Sequence, residues 1–542
     1  MNTDRRMFKR KSECAAEAII NFDLMWPKTK QKSSSFKASV LNLSEGGVCA
    51  RIIKGQENQL DRWDLEEMDG IELRLPKVFG ATRIRGKKAW VSWLDEEPKI
   101  GIRLEYCNGD GGNVRELLHS YLSRPSAARY TIGLYGVEWE RAFPESLLGI
   151  LRDALVLLLP FRLPHFFIRM LYGIRPKFVF YVHPRRKEDI FISFPPLKYL
   201  RNLLSSKRLL WLASMLPPFV IGKIRHPNID GVVIATLQMP NQLVANIKYS
   251  IRKARGAVCL AGKICPPGGI MGLGGWWPIV TRRGVSLRTV GRRYNIQITN
   301  GHCGTLVSIY LMVAKIARIS GLKMDQLHIG VIGSGKMGRN VASVLNGRVN
   351  KLTLIDMSRK KLENVARTLQ LSENASVLET AWVHPSEQSR LRHILQRPHL
   401  LICTTSNVRK LFVSGFLPDK FVVIDDSRPE AFFRTDPLLG KIVLEGGLMS
   451  LDGVNINYDF GFGVDENIFG CLAENFCLAL DQGRTLKPTI GDVDLDNFWQ
   501  MLKFCEQRGI LVGDFKSGMY VVDDEIISRI IREKQNDELP AA

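Results

Sequence analysis

Paired cysteines, long apolar runs and acidic residues are all scarce in this chain. Its ten cysteines are scattered through 542 residues, with no Cys-x-x-Cys pair and no Cys/His cluster at zinc spacing. That excludes a disulfide scaffold and a zinc module, and it fits free thiols in a reducing compartment. The greasiest stretch, ESLLGILRDALVLLLPFRLPHFFIRMLYGI, is broken by charges. Its longest uncharged run, Ala154 to Phe161, is eight residues, against about 20 for a helix that spans a bilayer. The opening MNTDRRMFKRKSE is charged and lacks the apolar core of a signal peptide. A cytoplasmic protein is expected, one that can touch the inner membrane from its surface. Asp and Glu number 54 against 76 Lys and Arg, a net charge of +22. Such a surface attracts nucleotides, nucleic acid, anionic lipid or acidic carrier proteins, and charge alone does not choose among them.

What is present is the mixture of a chain that buries real cores: 45% hydrophobic and 24% charged residues. At roughly 150 residues per domain the length implies three or four. Residues 1–122 alternate apolar and polar positions between short turns, as in FKASVLNL and KIGIRLEY, which predicts a small β-barrel closed by the helix GGNVRELLHSYLS. Residues 123–176 read as an apolar, Arg-dotted connector. Strands then alternate with helices, the mark of an α/β architecture: a substrate domain at 177–305, a nucleotide domain at 306–450, a helical part at 451–520, and a charged tail at 521–542 that frays.

Arg5, Arg6 and Arg10 precede the turn Asn42-Leu43-Ser44-Glu45-Gly46-Gly47 by a strand pair. Guanidinium forks suit phosphate oxygens or guanine edges. The turn offers an amide, a hydroxyl and, at Gly47, close backbone approach. The bland alternative is a solvated basic segment beside an ordinary turn. Together the two halves resemble the PilZ domain over about residues 4–122, through Arg-x-x-x-Arg at Arg6 and Arg10 and through Asn42, Ser44 and Gly47; WVSWLDEEPKIGIRLEY resembles its late strands. The resemblance implies cyclic di-GMP as a regulatory ligand. Nucleic acid is not expected, because no aromatics interleave a basic strand.

LHIGVIGSGKMGRNVASVL reads as strand, Gly-rich turn and helix. Gly333, Gly335 and Gly338 form Gly-x-Gly-x-x-Gly, with Ser334, Lys336 and Met337 between them. The first glycine permits the turn, the second admits a pyrophosphate, and the third lets helix pack on strand. The strand KLTLID ends at Asp356, placed to accept from a ribose hydroxyl. Arg359, Lys360 and Lys361 follow, able to hold a 2′-phosphate or merely to begin a solvated helix. Thr404, Thr405, Ser406 and Asn407 follow the fourth strand, where nicotinamide and substrate should meet. A Rossmann domain holding NAD or NADP is expected.

VDENIFGCLAENFCLALDQG predicts a helix capped by Asp465, with Ile468, Cys471, Leu472, Asn475 and Ala479 on one face. By pattern alone Cys471 is a core cysteine. The other reading is a thiol near a helix N-terminus, where the dipole favours the thiolate. Cys477 points elsewhere and reads as structural.

Residues 177–515 resemble the long-chain acyl-[acyl-carrier-protein] reductase of cyanobacteria. The matching stretches, in order, are FVFYVHPRRKEDI, MPNQLVANIKYSIRKA, GLGGWWPIV, TNGHCGTLVSIYLMVAKIARISGL, VLEGGLM and IFGCLAENF. The resemblance implies reduction of a fatty acyl thioester on acyl-carrier protein or acyl-CoA to an aldehyde, with Cys471 carrying the acyl group. It places Thr299 and His302 near the chemistry, with the amides near Gly274 and Gly275 as further candidates to meet an oxyanion. Departures are Cys303-Gly304-Thr305 where the family has Thr-His-Thr, Gly-Ser-Gly-Lys-Met-Gly in the turn, and Asp356-Met357 where the family carries an NADP-type arginine.

The expectation is a multidomain chain, a PilZ-like β-barrel followed by an α/β reductase with a Rossmann domain. It acts as a cyclic di-GMP-responsive NAD(P)H-dependent acyl-thioester reductase. Two alternatives stay open: a cyclic di-GMP effector whose reductase-like body does not turn over, and another Rossmann oxidoreductase that uses no thiol.

Overall fold

The computed structural model describes the backbone of seven strands between residues 10 and 105. From 147 to 538 it describes all but 186, 195, 201–203, 372–374, 385, 407–416, 428–429, 433–440, 457, 459, 461–466 and 518–519. The chain divides into two compact units at about Glu138. In the first, the alternating segments pair antiparallel in one sheet. Ser35–Ser44 joins Ile19–Met25, and the ladder continues through Gly70–Arg74, Arg83–Ser92 and Lys99–Glu105 to Gly47–Ile52. That last strand pairs back onto Ser35–Ser44, so six strands close a barrel that leaves no free edge. The short strand Arg10–Lys11 lies outside this ring, against the end of Ser35–Ser44. The closing helix expected at 111–123 lies outside the described residues.

Among the described residues the second unit holds two small two-stranded sheets and two six-stranded ones. One is a mixed sheet of Ile296–Thr299, Gly269–Leu273, Pro176–Val182, Asp230–Ala235 and Phe219–Arg225, with the short strand Asn455–Ile456 at its edge. Its first four strands are parallel. The other is all parallel, in the order Val377–Trp382, Lys351–Asp356, His328–Ile332, Leu400–Cys403, Phe421–Asp425, Lys441–Glu445. That is the 3-2-1-4-5-6 order of a Rossmann sheet; its central strands His328–Ile332, Leu400–Cys403 and Phe421–Asp425 are buried throughout, whereas the edge strand Val377–Trp382 is exposed or half-buried along its length. The winding reverses between His328–Ile332 and Leu400–Cys403, which opens a crevice at their carboxyl ends.

Two helices tie the lobes together. His302–Ile319 leaves the first sheet and enters the second; Gly470–Asp481 returns and packs along it. By length and composition His302–Ile319 could cross a membrane, yet more than half of it is buried inside the protein. Cys303, Leu306, Val307 and Val313 sit in the main core cluster.

Three expectations need correction. Residues 147–176 are no mere connector: Val156, Leu163, Ile168 and Tyr172 share a core with Val179 and Val232 of the first sheet. The tail does not fray before 538, because Asp524–Glu538 is a helix that buries Ile527, Ile530 and Ile531. The helix expected from Asp465 begins only at Gly470, since Asn467–Phe469 pairs as a strand with Leu448–Ser450. Asp465 itself lies outside the described residues.

Candidate active site

The Gly-rich turn divides its three tasks as the spacing requires. Gly333 has φ +96°, a conformation an L side chain rarely adopts. A Cβ on Gly338 would stand 1.8 Å from the Gly333 carbonyl, so only glycine lets the helix Lys336–Leu345 start so close to its strand. A Cβ on Gly335 would meet nothing within 4 Å. The open side of the turn therefore faces free space, as a pyrophosphate cradle must. The buried Ser334 Oγ has no hydrogen-bond partner among the described residues and is available to such a ligand. Asp356 ends its strand as expected. Its carboxylate accepts the Ser334 N–H at 2.6 Å and the Ser358 N–H at 2.8 Å, which fixes it at the crevice edge. Thr404 Oγ1 donates to the Gly333 carbonyl at 3.1 Å and braces the turn from the neighbouring strand. Thr405 Oγ1 lies 3.2 Å from Ser427 Oγ. Arg359 turns away and pairs with Glu363 on its own exposed helix at 2.9 Å, the solvated alternative. Lys336 reaches Asp492 at 2.8 Å, and Arg283 meets the same carboxylate at 3.3 Å. Those two cations, Lys336 first, hold Asp492 below the usual carboxylate range.

Cys471 lies in the first turn of Gly470–Asp481, where that helix N-terminus abuts the start of His302–Ile319. The approach is tight. A Cβ on Gly301 would fall 2.3 Å from Cys471 Cβ, and one on Gly304 would fall 2.1 Å from the Gly470 carbonyl. Gly301 also has φ +74°. Two helix N-termini, with the positive ends of their dipoles, thus converge beside one thiol, although the first-turn N–H groups of His302 and Gly304 already donate to Asn300 and Glu474.

Behind this junction stands Glu474, a residue the sequence pattern did not single out. It is fully buried. Its carboxylate accepts the Gly304 N–H at 2.8 Å and the Thr489 N–H at 3.3 Å, and it takes the Thr299 hydroxyl. Burial raises its pKa against those donors. Thr299 is therefore committed to Glu474; it is fully buried and does not line the cavity, which corrects its expected place beside the chemistry. Cys477 is buried with its sulfur 3.6 Å from Cys505.

A single cavity of about 420 Å³ joins these parts. Gly335, Lys336 and Met337 of the Gly-rich turn line it together with Thr405 and Ser406, and so do Cys471, His302 and Thr305. Phe180, Leu273, Trp276, Phe460 and Phe469 give it apolar walls. His302 opens on it, and burial together with the Arg283 guanidinium holds its imidazole down at about 4. It is neutral at pH 7, so it can donate one hydrogen bond but carries no charge.

His183, unnoticed in the sequence, shapes the opposite wall. Its Nε2 accepts the Trp276 N–H at 2.9 Å while Nδ1 faces the Pro184 carbonyl at 2.9 Å, which fixes the Nδ1–H tautomer. Burial lowers it to about 4. The Gly274 N–H is likewise committed, to the Tyr181 carbonyl at 2.9 Å. Neither the Gly274 amide nor that of Trp276 in this loop is free to meet an oxyanion, whereas the His302 side chain lines the same cavity as Cys471.

In the barrel, the register pairs Arg10 with Ser44, and Ser44 in turn with Gly47; Asn42 follows a β-bulge in the same strand. The backbone thus brings the two halves of the arginine and turn motif to one end of the barrel. Arg5 and Arg6 lie outside the described residues, as does Asn407.

No protein-family model matches the sequence, and no curated protein is significantly similar to it. The chain is similar to several solved structures. L-tryptophan dehydrogenase from Nostoc punctiforme is 11% identical over 66% of this chain and 88% of that one, with a TM-score of 0.28. A dipicolinate synthase from Bacillus halodurans is 14% identical over 35% of this chain, with a TM-score of 0.24, and this chain spans 61% of its length. The PilZ domain of YcgR from Escherichia coli, with c-di-GMP, is 17% identical over 22% of this chain and 88% of that one, with a TM-score of 0.15.

Proposed function

We propose that this protein is a nicotinamide-dependent reductase of fatty acyl thioesters, with Cys471 as the acyl carrier and cyclic di-GMP as a ligand of its barrel. One observation carries the reading: Cys471 and the Gly-rich turn line the same cavity, and that cavity has aromatic walls. A thiol at two helix N-termini is disposed to react as thiolate. Apolar walls beside it suit an acyl chain.

The Cys471 sulfur adds to the thioester carbonyl carbon, the carrier thiolate leaves, and the proton from Cys471 goes with it. Reduced nicotinamide, held by the turn Gly333–Gly338 and Asp356, would supply the hydride that the acyl carbon takes up. The C–S bond then breaks, aldehyde departs, and Cys471 is left as the thiolate, ready to add to the next thioester or to take a proton from solvent. Neutral His302 donates a hydrogen bond to the carbonyl oxygen as charge develops there. Glu474 holds Thr299 and Gly304, and so fixes the two helix starts that frame the thiol. Asp356 accepts from a ribose hydroxyl, and its charge repels a 2′-phosphate. With Arg359 tied to Glu363, the residues present favour NADH over the NADPH that the acyl-carrier-protein reductase resemblance implies.

The test is aldehyde formation from an acyl thioester and reduced nicotinamide, with and without cyclic di-GMP. The native protein should form aldehyde and Cys471→Ser none, while both bind cofactor equally. Full activity in Cys471→Ser would leave a Rossmann oxidoreductase that needs no thiol.

A further inference from the structure

We infer that the outer face of the first lobe, built by the helix at 147–158 and the helix His165–Tyr172, docks on an anionic lipid surface. The helix at 147–158 is two-faced. Ile150, Asp153 and Val156 are buried, whereas Leu148, Leu151, Leu155 and Leu158 stand out, Leu158 at 80% exposure. The spacing i, i+3, i+7, i+10 puts those four leucines on one stripe. The second helix repeats the arrangement. Ile168 and Tyr172 are buried, and Phe166, Phe167 and Met170 are exposed, Phe166 at 71%. Isolated exposed leucines need no explanation, but a contiguous patch of this kind marks a contact surface.

The patch is held rigidly. Asp153 accepts the Tyr172 hydroxyl at 2.8 Å and the Val220 N–H at 2.7 Å, and it pairs with Arg152 at 2.8 Å. Buried Lys263 closes the helix end by donating to the carbonyls of Val156 at 3.0 Å, Leu157 at 2.7 Å and Leu159. The leucine stripe therefore stays in one orientation, outward.

Charge decides the occupant. Residues 154–324 contain 26 lysines and arginines and three acids, Glu188, Asp189 and Asp230. Their excess of 23 positive charges accounts for the whole net charge of +22. Within 147–177 the one acid, Asp153, is buried and paired, while Arg169, Arg175 and Lys177 of the same segment are exposed. Of the three acids between 154 and 324, half-buried Asp230 is set against this segment, accepting the Arg175 backbone N–H at 3.5 Å. An apolar patch on a cationic segment matches the interface of an anionic bilayer, where side chains enter the acyl boundary and cations meet headgroups. An acidic carrier protein would use the cations and leave the leucines uncovered.

The experiment is flotation of the full chain with vesicles of phosphatidylcholine, alone or with about one-third phosphatidylserine. Native protein should float with the anionic vesicles and much less with neutral ones, and added salt should weaken it. Leu151→Gln/Leu155→Gln/Leu158→Gln should lower partitioning about 100-fold or more, and Arg169→Gln/Arg175→Gln about tenfold. All five positions are exposed, and an unchanged melting temperature would show that the variants fold. Native protein that binds neither vesicle overturns the inference, and so does a leucine variant that binds as well as the native chain. Two further results would overturn it. One is a leucine variant that loses binding to acyl-carrier protein alone; the other is one that dissociates a dimer with vesicle binding unchanged.

Discussion

Replacing Gly301 by alanine isolates the junction that frames Cys471. Two effects add at this site. An L residue held at φ +74° costs roughly 1–2 kcal/mol, and a Cβ placed 2.3 Å from Cys471 Cβ and 2.8 Å from its Cα must push one helix start away. Overpacking of that kind typically costs about 1–3 kcal/mol. The sum is about 2–5 kcal/mol. Gly268 is the control, for it has φ +78° and open space where its Cβ would lie. Gly268→Ala should therefore show the backbone cost alone, about 1–2 kcal/mol. Urea unfolding followed by tryptophan fluorescence gives both values, and alkylation of Cys471 by an acyl-mimetic thiol reagent gives the local consequence. The thiol of Gly301→Ala should react at least tenfold more slowly or faster than native, while Gly268→Ala matches native. Equal stability losses in the two variants, with Cys471 reactivity unchanged in both, would refute the close junction.

Gly335→Val should keep the melting temperature of the native chain yet lose NADH binding by about 100-fold, because its side chain enters only the ligand space; Gly338→Ala should lose both, and fluorescence titration with calorimetry separates them. NADH should bind at least about tenfold tighter than NADPH, and Asp356→Ser should narrow that gap. His183 takes up a proton at about 4 when folded and near 6.5 when unfolded. The unfolded chain alone binds the proton in that window, so stability falls as pH drops from about 6.5 to 4, by up to roughly 3 kcal/mol. His183→Gln should flatten that part of the urea-midpoint profile, and a slope identical to native would contradict the tautomer assigned. Arg10→Ala in the full chain should weaken cyclic di-GMP by tenfold or more in calorimetry, since a charge-assisted contact contributes about 1.5–3 kcal/mol.

The parts of the site legible in the sequence are those whose demands are local. Gly333, Gly335 and Gly338 each answer to a backbone condition within one turn, and Asp356 to the end of one strand. The parts that are not legible depend on distant partners. Glu474, in a helix, reads like any surface acid, yet its donors come from Thr299, Gly304 and Thr489. Thr299 lies in a stretch that resembles a family motif, but its hydroxyl is bound by Glu474 and it does not line the cavity. The apolar–polar run before Gly470 suits a helix as well as a strand, and only pairing with Leu448–Ser450 decides between them. The pattern of residues 147–176 suits both a segment lying on a surface and a segment packed as core. Each helix buries one face and leaves an apolar one exposed, and a two-faced helix of that kind satisfies both patterns at once.

The most direct test of the account is peptide mass mapping of the full chain after incubation with a long-chain acyl thioester and no reductant. The account predicts one acyl adduct, on Cys471, which disappears as free aldehyde when NADH is added. An adduct on any of the other nine cysteines, or an acyl group on Cys471 that NADH leaves in place, would contradict it.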